Sequence, residues 1–151
     1  IPYCDNSQVV VVKADSDIKS LADLEGKVVG VQAASAAYDV LTDEEQQKEL
    51  GDTFGTLQQF GDYNTAFTEL QAGSLDALAI DIGVANYQLK SRDGGFIILD
   101  ESLNSEQYGV GFRLVDTALA ELISADLKQL AEDGVVAELA EKYEIADMVC
   151  L

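Results

Sequence analysis

The sequence predicts an α/β fold: a mainly parallel five-stranded sheet flanked by helices, followed by a helical carboxyl-terminal segment. Three observations carry this expectation. Short strand-like runs recur at 8–13, 27–32, 56–60, 76–80 and 96–99. Segments with helical spacing and capping residues lie between them, and such alternation specifies strands joined by helical crossovers. Most of the runs are apolar without a period of two, as befits strands covered on both faces.

Taken in order, residues 8–13 (QVVVVK) are a β-branched run that reads as a buried strand. Residues 20–25 read as one or two helical turns, with Ser20 as N-cap and Gly26 as the stop. The next strand is 27–32 (KVVGVQ). Ser35 then opens a helix through Tyr38 and Leu41, and the acidic run from Asp43 to Glu49 reads as a solvated helix face. Residues 56–60 form a strand, and Asp62 caps a helix carrying Ala66, Phe67 and Leu70 that Gly73 ends. Residues 76–80 (DALAI) make another buried strand, with Asp76 at its solvated start. A helix over 82–90 and a strand over 96–99 follow. After Asn104 the pattern changes: 106–113 (EQYGVGFR) reads as a long strand, then helices cover 117–133 and 135–143 with Gly134 between them.

Bulk composition narrows the chemistry. The chain has 151 residues, enough for one domain and a piece of another. Nine basic against 28 acidic side chains give a net charge of −19, which repels nucleic acid and anionic membrane. Histidine is absent, and with it the commonest metal ligand and general base. A Cys/His metal site and a Cys–His nucleophile are thereby excluded. Cys4 and Cys150 are either isolated thiols or a candidate disulfide closing nearly the whole chain. No apolar stretch approaches the roughly 20 residues of a membrane helix. The first residue is Ile1, so the expectation is an amino terminus removed by processing, proteolysis or cloning. Any signal peptide or lipid-anchoring cysteine would lie upstream.

Several segments, in this order, resemble the polar amino-acid binding proteins of ABC importers. Residues 2–13 (PYCDNSQVVVVK) look like the family's first crossover strand, and 21–30 (LADLEGKVVG) match its DLxGK segment. Residues 31–37 (VQAASAA) fall on its carboxylate-binding turn, 62–81 (DYNTAFTELQAGSLDALAID) on its DA…D segment, and 104–112 (NSEQYGVGF) on its return crossover. The resemblance implies a type II periplasmic-binding-protein-like fold, with two α/β lobes and one amino acid clamped between them. On that template, 1–6 are a crossover and remnant of lobe 1, 7–103 are the complete lobe 2, and 104–151 return to lobe 1 as the second crossover and carboxyl-terminal helices. A first-lobe segment of about 90–100 residues would precede the first crossover. That segment would supply the arginine for the ligand carboxylate and the aromatic residues around the ligand side chain.

Ligands of open α/β sheets sit beyond the carboxyl ends of the strands, which selects the turns after Gln32, Phe60 and Ile80. At the third, the resemblance makes Asp81 the acceptor for the ligand ammonium, a charge-assisted contact; a plain helix N-cap is the alternative. At the first, Ser35 and the backbone amides around Ala34 and Ala36 would bind the ligand carboxylate. The family has Gly-Ser-Thr or Gly-Thr-Thr there, so Ala34-Ser35-Ala36 has lost a glycine and a hydroxyl. At the second, Asp62, Tyr63 and Asn64 read mainly as capping residues, with Asn64 a weaker ligand-binding candidate. Tyr108 and Gly109 fall in the second crossover, where glycines either ease bending or mark close packing.

The function implied is a non-catalytic, substrate-binding component of an amino-acid importer, extracellular or periplasmic, with the permease as its partner. No cofactor and no metal are implied. A dehydratase or lytic enzyme on the same fold, or the ligand-sensing domain of a receptor, are the alternatives. An incomplete first lobe would leave helix faces in need of cover, so residues 106–151 are expected to fold back on lobe 2 or to exchange with a second copy as a segment-swapped homodimer.

Overall fold

The computed structural model describes residues 1–92 and 94–151. The strands are β1 (Pro2–Asn6), β2 (Gln8–Lys13), β3 (Val28–Gln32), β4 (Thr56–Phe60), β5 (Ala77–Asp81), β6 (Phe96–Ile98) and β7 (Glu106–Gly109). The helices are α1 (Ala36–Thr42), α2 (Lys48–Gly51), α3 (Tyr63–Ala72), α4 (Ile82–Lys90), α5 (Thr117–Glu132) and α6 (Val135–Lys142). They fall into two compact units, Ser7–Ser105 and a second made of Ile1–Asn6 with Glu106–Leu151.

The unit Ser7–Ser105 holds a five-stranded sheet in the order β4-β3-β5-β2-β6. β3 is parallel to β4 and to β5, whereas β2 runs antiparallel to both of its neighbours, β5 and β6. Four strands therefore share one direction, and the sheet is mixed because β2 opposes them from an interior position. The β-branched run of β2 suits that position: Val10, Val11 and Val12 are fully buried.

Alternation along the strands sorts the core into two layers. Val10, Val12, Val29, Val31, Ala77 and Ala79 face one side, where Ala37, Val40 and Leu41 of α1 cover them. Val9, Val11, Leu78 and Ile80 face the other, under Ala66, Phe67 and Leu70 of α3 and Ala85 of α4. Burying each large side chain contributes about 1.5–3 kcal/mol. Gly30 of β3 is a packing requirement, since a Cβ there would lie 2.7 Å from Leu75 Cδ1 and 3.1 Å from Phe60 Cε2.

Caps set the helix limits. Asp62 accepts from Thr65 N at 2.9 Å to start α3, and Gly73, at φ +84°, ends it. Ser20 and Asp23 form a capping box on the 3-10 turn Leu21–Leu24. Two expectations need correction here. The acidic run 43–49 is not a helix face: α1 stops at Thr42, turns follow, and only the short α2 resumes at Lys48. Nor is Asp76 merely solvated. Its carboxylate accepts from Val28 N at 2.8 Å and its own N–H donates to Val28 O at 2.9 Å, which clamps the start of β5 onto β3.

In the second unit, β1 and β7 pair antiparallel, with Cys4 opposite Tyr108 and Asp5 opposite Gln107. The segment 2–13 is thus two strands broken at Ser7 rather than one. The strand read over 106–113 is also shorter than expected, because pairing with β1 ends at Gly109 opposite Pro2. Gly109 marks close packing: a Cβ there would lie 3.1 Å from the Ile1 carbonyl oxygen. Cys4 and Cys150 are not bridged. Cys4 forms a β-bridge with Val149, so Cys150, one residue on, projects to the opposite face. There it meets the Gln107 amide at 3.7 Å, which also donates to Asp5. Cys4 is buried and Cys150 exposed, as that alternation requires.

Candidate functional site

The carboxyl ends of β4, β3 and β5 lie side by side in the unit Ser7–Ser105. Gln32 is paired with Phe60, and beyond that pair Ala33 N–H donates to Phe60 O at 2.8 Å. The Gln32 amide reaches Gly61 O at 3.4 Å and ties the first turn to the second. Asp81 ends β5 and is opposite Gln8, the first residue of β2. Ile82 N–H donates to Ser7 O at 3.0 Å, which fixes the chain where β5 passes into α4.

Asp81 is the N-cap of α4, its Oδ1 accepting from Gly83 N at 3.0 Å. It is half-buried, and its odd position places its side chain with Ala77 and Ala79 on the α1 side of the sheet. Capping takes one of about four acceptor positions on a carboxylate. The cap and the ligand contact read from the sequence are therefore compatible.

Ser35 is also a cap. Its hydroxyl donates to Gln32 O at 2.8 Å and accepts from Tyr38 N at 3.2 Å. That leaves the backbone of the turn, more than the hydroxyl, as its chemistry. Ala34 sits at φ +54°, the left-handed region that glycine occupies without cost. The glycine of the resembling family would suit this backbone; alanine holds it under strain.

At the second turn, hydrogen bonds from Thr65 N–H and from the Thr65 hydroxyl hold the Asp62 carboxyl below the ordinary carboxylate range. Tyr63 is half-buried, and burial, followed by the charge of Asp81, pushes its phenol up. Asn64 Oδ1 accepts from Arg92 Nη2 at 3.2 Å. Arg92 also takes Gln88 Oε1 at 3.1 Å and lies 4.5 Å above the Phe67 ring. Asn64 is thus tied to a latch over the α3–α4 layer. Tyr63 is the α3 residue whose environment senses Asp81. Gln8, opposite Asp81 and 1% exposed, was not singled out by the sequence. A polar residue opening an apolar run was its only local signal.

Comparisons with known proteins follow the same outline. The model of the family described as NMT1/THI5 like matches residues 3–129. The arginine-binding extracellular protein ArtP of Bacillus subtilis is 31% identical, over 93% of this chain and 54% of that protein. A solved ABC uptake transporter substrate-binding protein from Streptococcus pneumoniae, with bound histidine, has a TM-score of 0.79 at 31% identity, covering 94% of this chain and 58% of that one. An ancestral arginine-binding protein bound to arginine has a TM-score of 0.76 at 34% identity, covering 94% and 62%. The chain spans about half the length of the curated relatives it matches. Among the described residues, no helix is long and apolar enough to cross a membrane. The chain belongs to the NMT1/THI5-like family, and its relatives are solute-binding proteins of amino-acid ABC transporters.

Proposed function

We propose that this chain is the ligand-binding part of a solute-binding protein for a polar amino acid, working outside the cytoplasmic membrane and delivering to an ABC permease. It binds its ligand without transforming it. The observation that supports this is Asp81: a carboxylate that ends the buried strand β5 and caps α4, in phase with Ala77 and Ala79, which pack in the layer covered by α1. The ligand ammonium would meet Asp81, and the ligand carboxylate would meet the Ala34–Ala36 turn. Arginine, glutamine and histidine are named for the relatives, and all are polar amino acids. The resemblance assigns the rest of the site to a second lobe, so Ser7–Ser105 supplies a half-site. The exposed apolar side chains of α5 and α6 favour self-association as a homodimer.

Thermal unfolding with each polar amino acid at millimolar concentration tests this role. A ligand at 100 times its Kd adds about 2.7 kcal/mol, a rise of roughly 5–10 °C for a chain of this size. Asp81→Asn keeps the cap acceptor and removes the charge, so the rise should shrink or vanish. Unfolding unmoved by every amino acid would sink the proposed half-site.

A further inference from the structure

Gln8 is an unusual core residue. It is 1% exposed and opens a strand whose next four residues are valines. A buried primary amide must find hydrogen-bond partners, because an unpaired one would carry its full desolvation penalty. Its backbone is held on both sides: Leu103 N–H donates to Gln8 O at 2.7 Å, and Gln8 N–H donates to Asn104 Oδ1 at 2.7 Å. The side chain therefore departs from a fixed point.

Where it departs is set by the sheet. Gln8 and Asp81 are directly opposed across the antiparallel β2–β5 pair. Both lie in the phase of Val10, Val12, Ala77 and Ala79, which share one core layer, and out of phase with Val9, Val11, Leu78 and Ile80, which share the other. The two side chains thus leave the same face from adjacent positions, with Cβ atoms about 4.5–5.5 Å apart. That gap suits an amide N–H donating to a carboxylate oxygen.

We infer that Gln8 is a positioning residue for Asp81: its side-chain amide donates to the Asp81 carboxylate and fixes the plane in which that group meets a ligand ammonium. The inference rests on the amino-acid-binding role proposed above. The residue type fits. A lysine or arginine would neutralise Asp81 before any ligand arrived, and a leucine would leave the carboxylate unoriented. Glutamine orients it and leaves its charge intact. The acceptor positions suffice for the Gly83 cap, the Gln8 amide and a ligand together. Tyr63 is a titratable group that senses Asp81, and its phenol is uncharged at neutral pH.

The Gly83 amide reports on Asp81 without a ligand, because it donates to Asp81 Oδ1. The matching control is the Thr65 amide, which donates to Asp62 in the cap of α3. In the full chain, Gln8→Met should speed hydrogen exchange at Gly83 about tenfold relative to Thr65, the effect of losing a hydrogen bond to a charged group. Equal acceleration at both amides, or a Gly83 rate within about twofold of the parent, would overturn the positioning role. If Gln8→Met does not fold, Gln8→Glu serves. Two opposed carboxylates should expel Asp81 from its cap at pH 7 and let it return as the pair takes up a proton. A Gly83-to-Thr65 ratio indifferent to pH would count against the role. L-Arginine titrated into parent and variant separates the two ideas. A parent that does not bind it, with the Gly83 effect intact, supports positioning and removes arginine as the ligand. A parent that binds it about tenfold more tightly than the variant supports both.

Discussion

Ala34 is the residue where sequence and backbone disagree. Its φ of +54° places a Cβ where L-residues are disfavoured, in a turn that Ser35 and Gln32 hold through the 2.8 Å hydroxyl–carbonyl bond. Left-handed geometry costs a non-glycine residue about 1–2 kcal/mol, and glycine returns about 0.4–1 kcal/mol of that as extra freedom in the unfolded chain. Ala34→Gly should therefore stabilise the protein by about 0.5–1 kcal/mol and raise the melting midpoint by about 1–4 °C. Ala34→Val, with a branched Cβ, should lower it. Calorimetry on the three proteins decides, and a glycine variant that melts below the parent would contradict the strain. This residue was legible as a departure from a family pattern, but its meaning was not. The resemblance says a glycine is missing; only the dihedral says that the turn kept the shape glycine prefers.

Caps translate sequence into element boundaries, and two of them rest on carboxylates that titrate abnormally. Hydrogen bonds to Lys19 N–H, the Ser20 hydroxyl and Ser20 N–H hold Asp23 below the ordinary value of 3.8, and those to Thr65 do the same for Asp62. A carboxyl whose folded value is depressed contributes stability that is complete above the unfolded value. That contribution is lost as pH falls through the lower, folded one. Acid should thus loosen α3 and the Leu21–Leu24 turn from just below pH 3.8 downward. Asp62→Asn, which caps without titrating, should flatten the Asp62 share of that acid limb in denaturation followed by circular dichroism. An acid limb identical in parent and Asn variant would show that the cap is not its source. Such caps are local, which is why Asp62, Gly73, Ser35 and Ser20 could be read from the sequence in advance. Pairing is not local. Nothing in QVVVVK says that it runs against β5 and puts Gln8 opposite Asp81, because strand direction is chosen by which surfaces remain to be covered. The same limit made β7 look longer than it is and left the two cysteines an open question until alternation put them on opposite faces.

At the scale of the molecule the two units differ in how they treat apolar surface. Ser7–Ser105 closes its sheet with helices on both sides, and nearly all of the buried hydrophobic residues belong to it. The unit of Ile1–Asn6 and Glu106–Leu151 buries Cys4 and Ala140 but leaves Leu119, Leu122, Leu130 and Leu139 at 49%, 57%, 42% and 47% exposure. Large apolar side chains left this exposed favour association, and the acidic charge of −19 works against closing them with a second copy. The balance depends on salt. Screening lengths fall from about 30 Å at 0.01 M to about 3 Å at 1 M, so repulsion between copies fades while apolar burial does not. Sedimentation velocity should therefore show association that strengthens with both protein concentration and ionic strength. Leu122→Glu and Leu139→Glu should each return the protein to monomer, without changing the amino-acid response of Ser7–Ser105. A single monomeric boundary at every concentration and salt would exclude self-association. Dimers unaffected by either substitution would place the contact away from these helices.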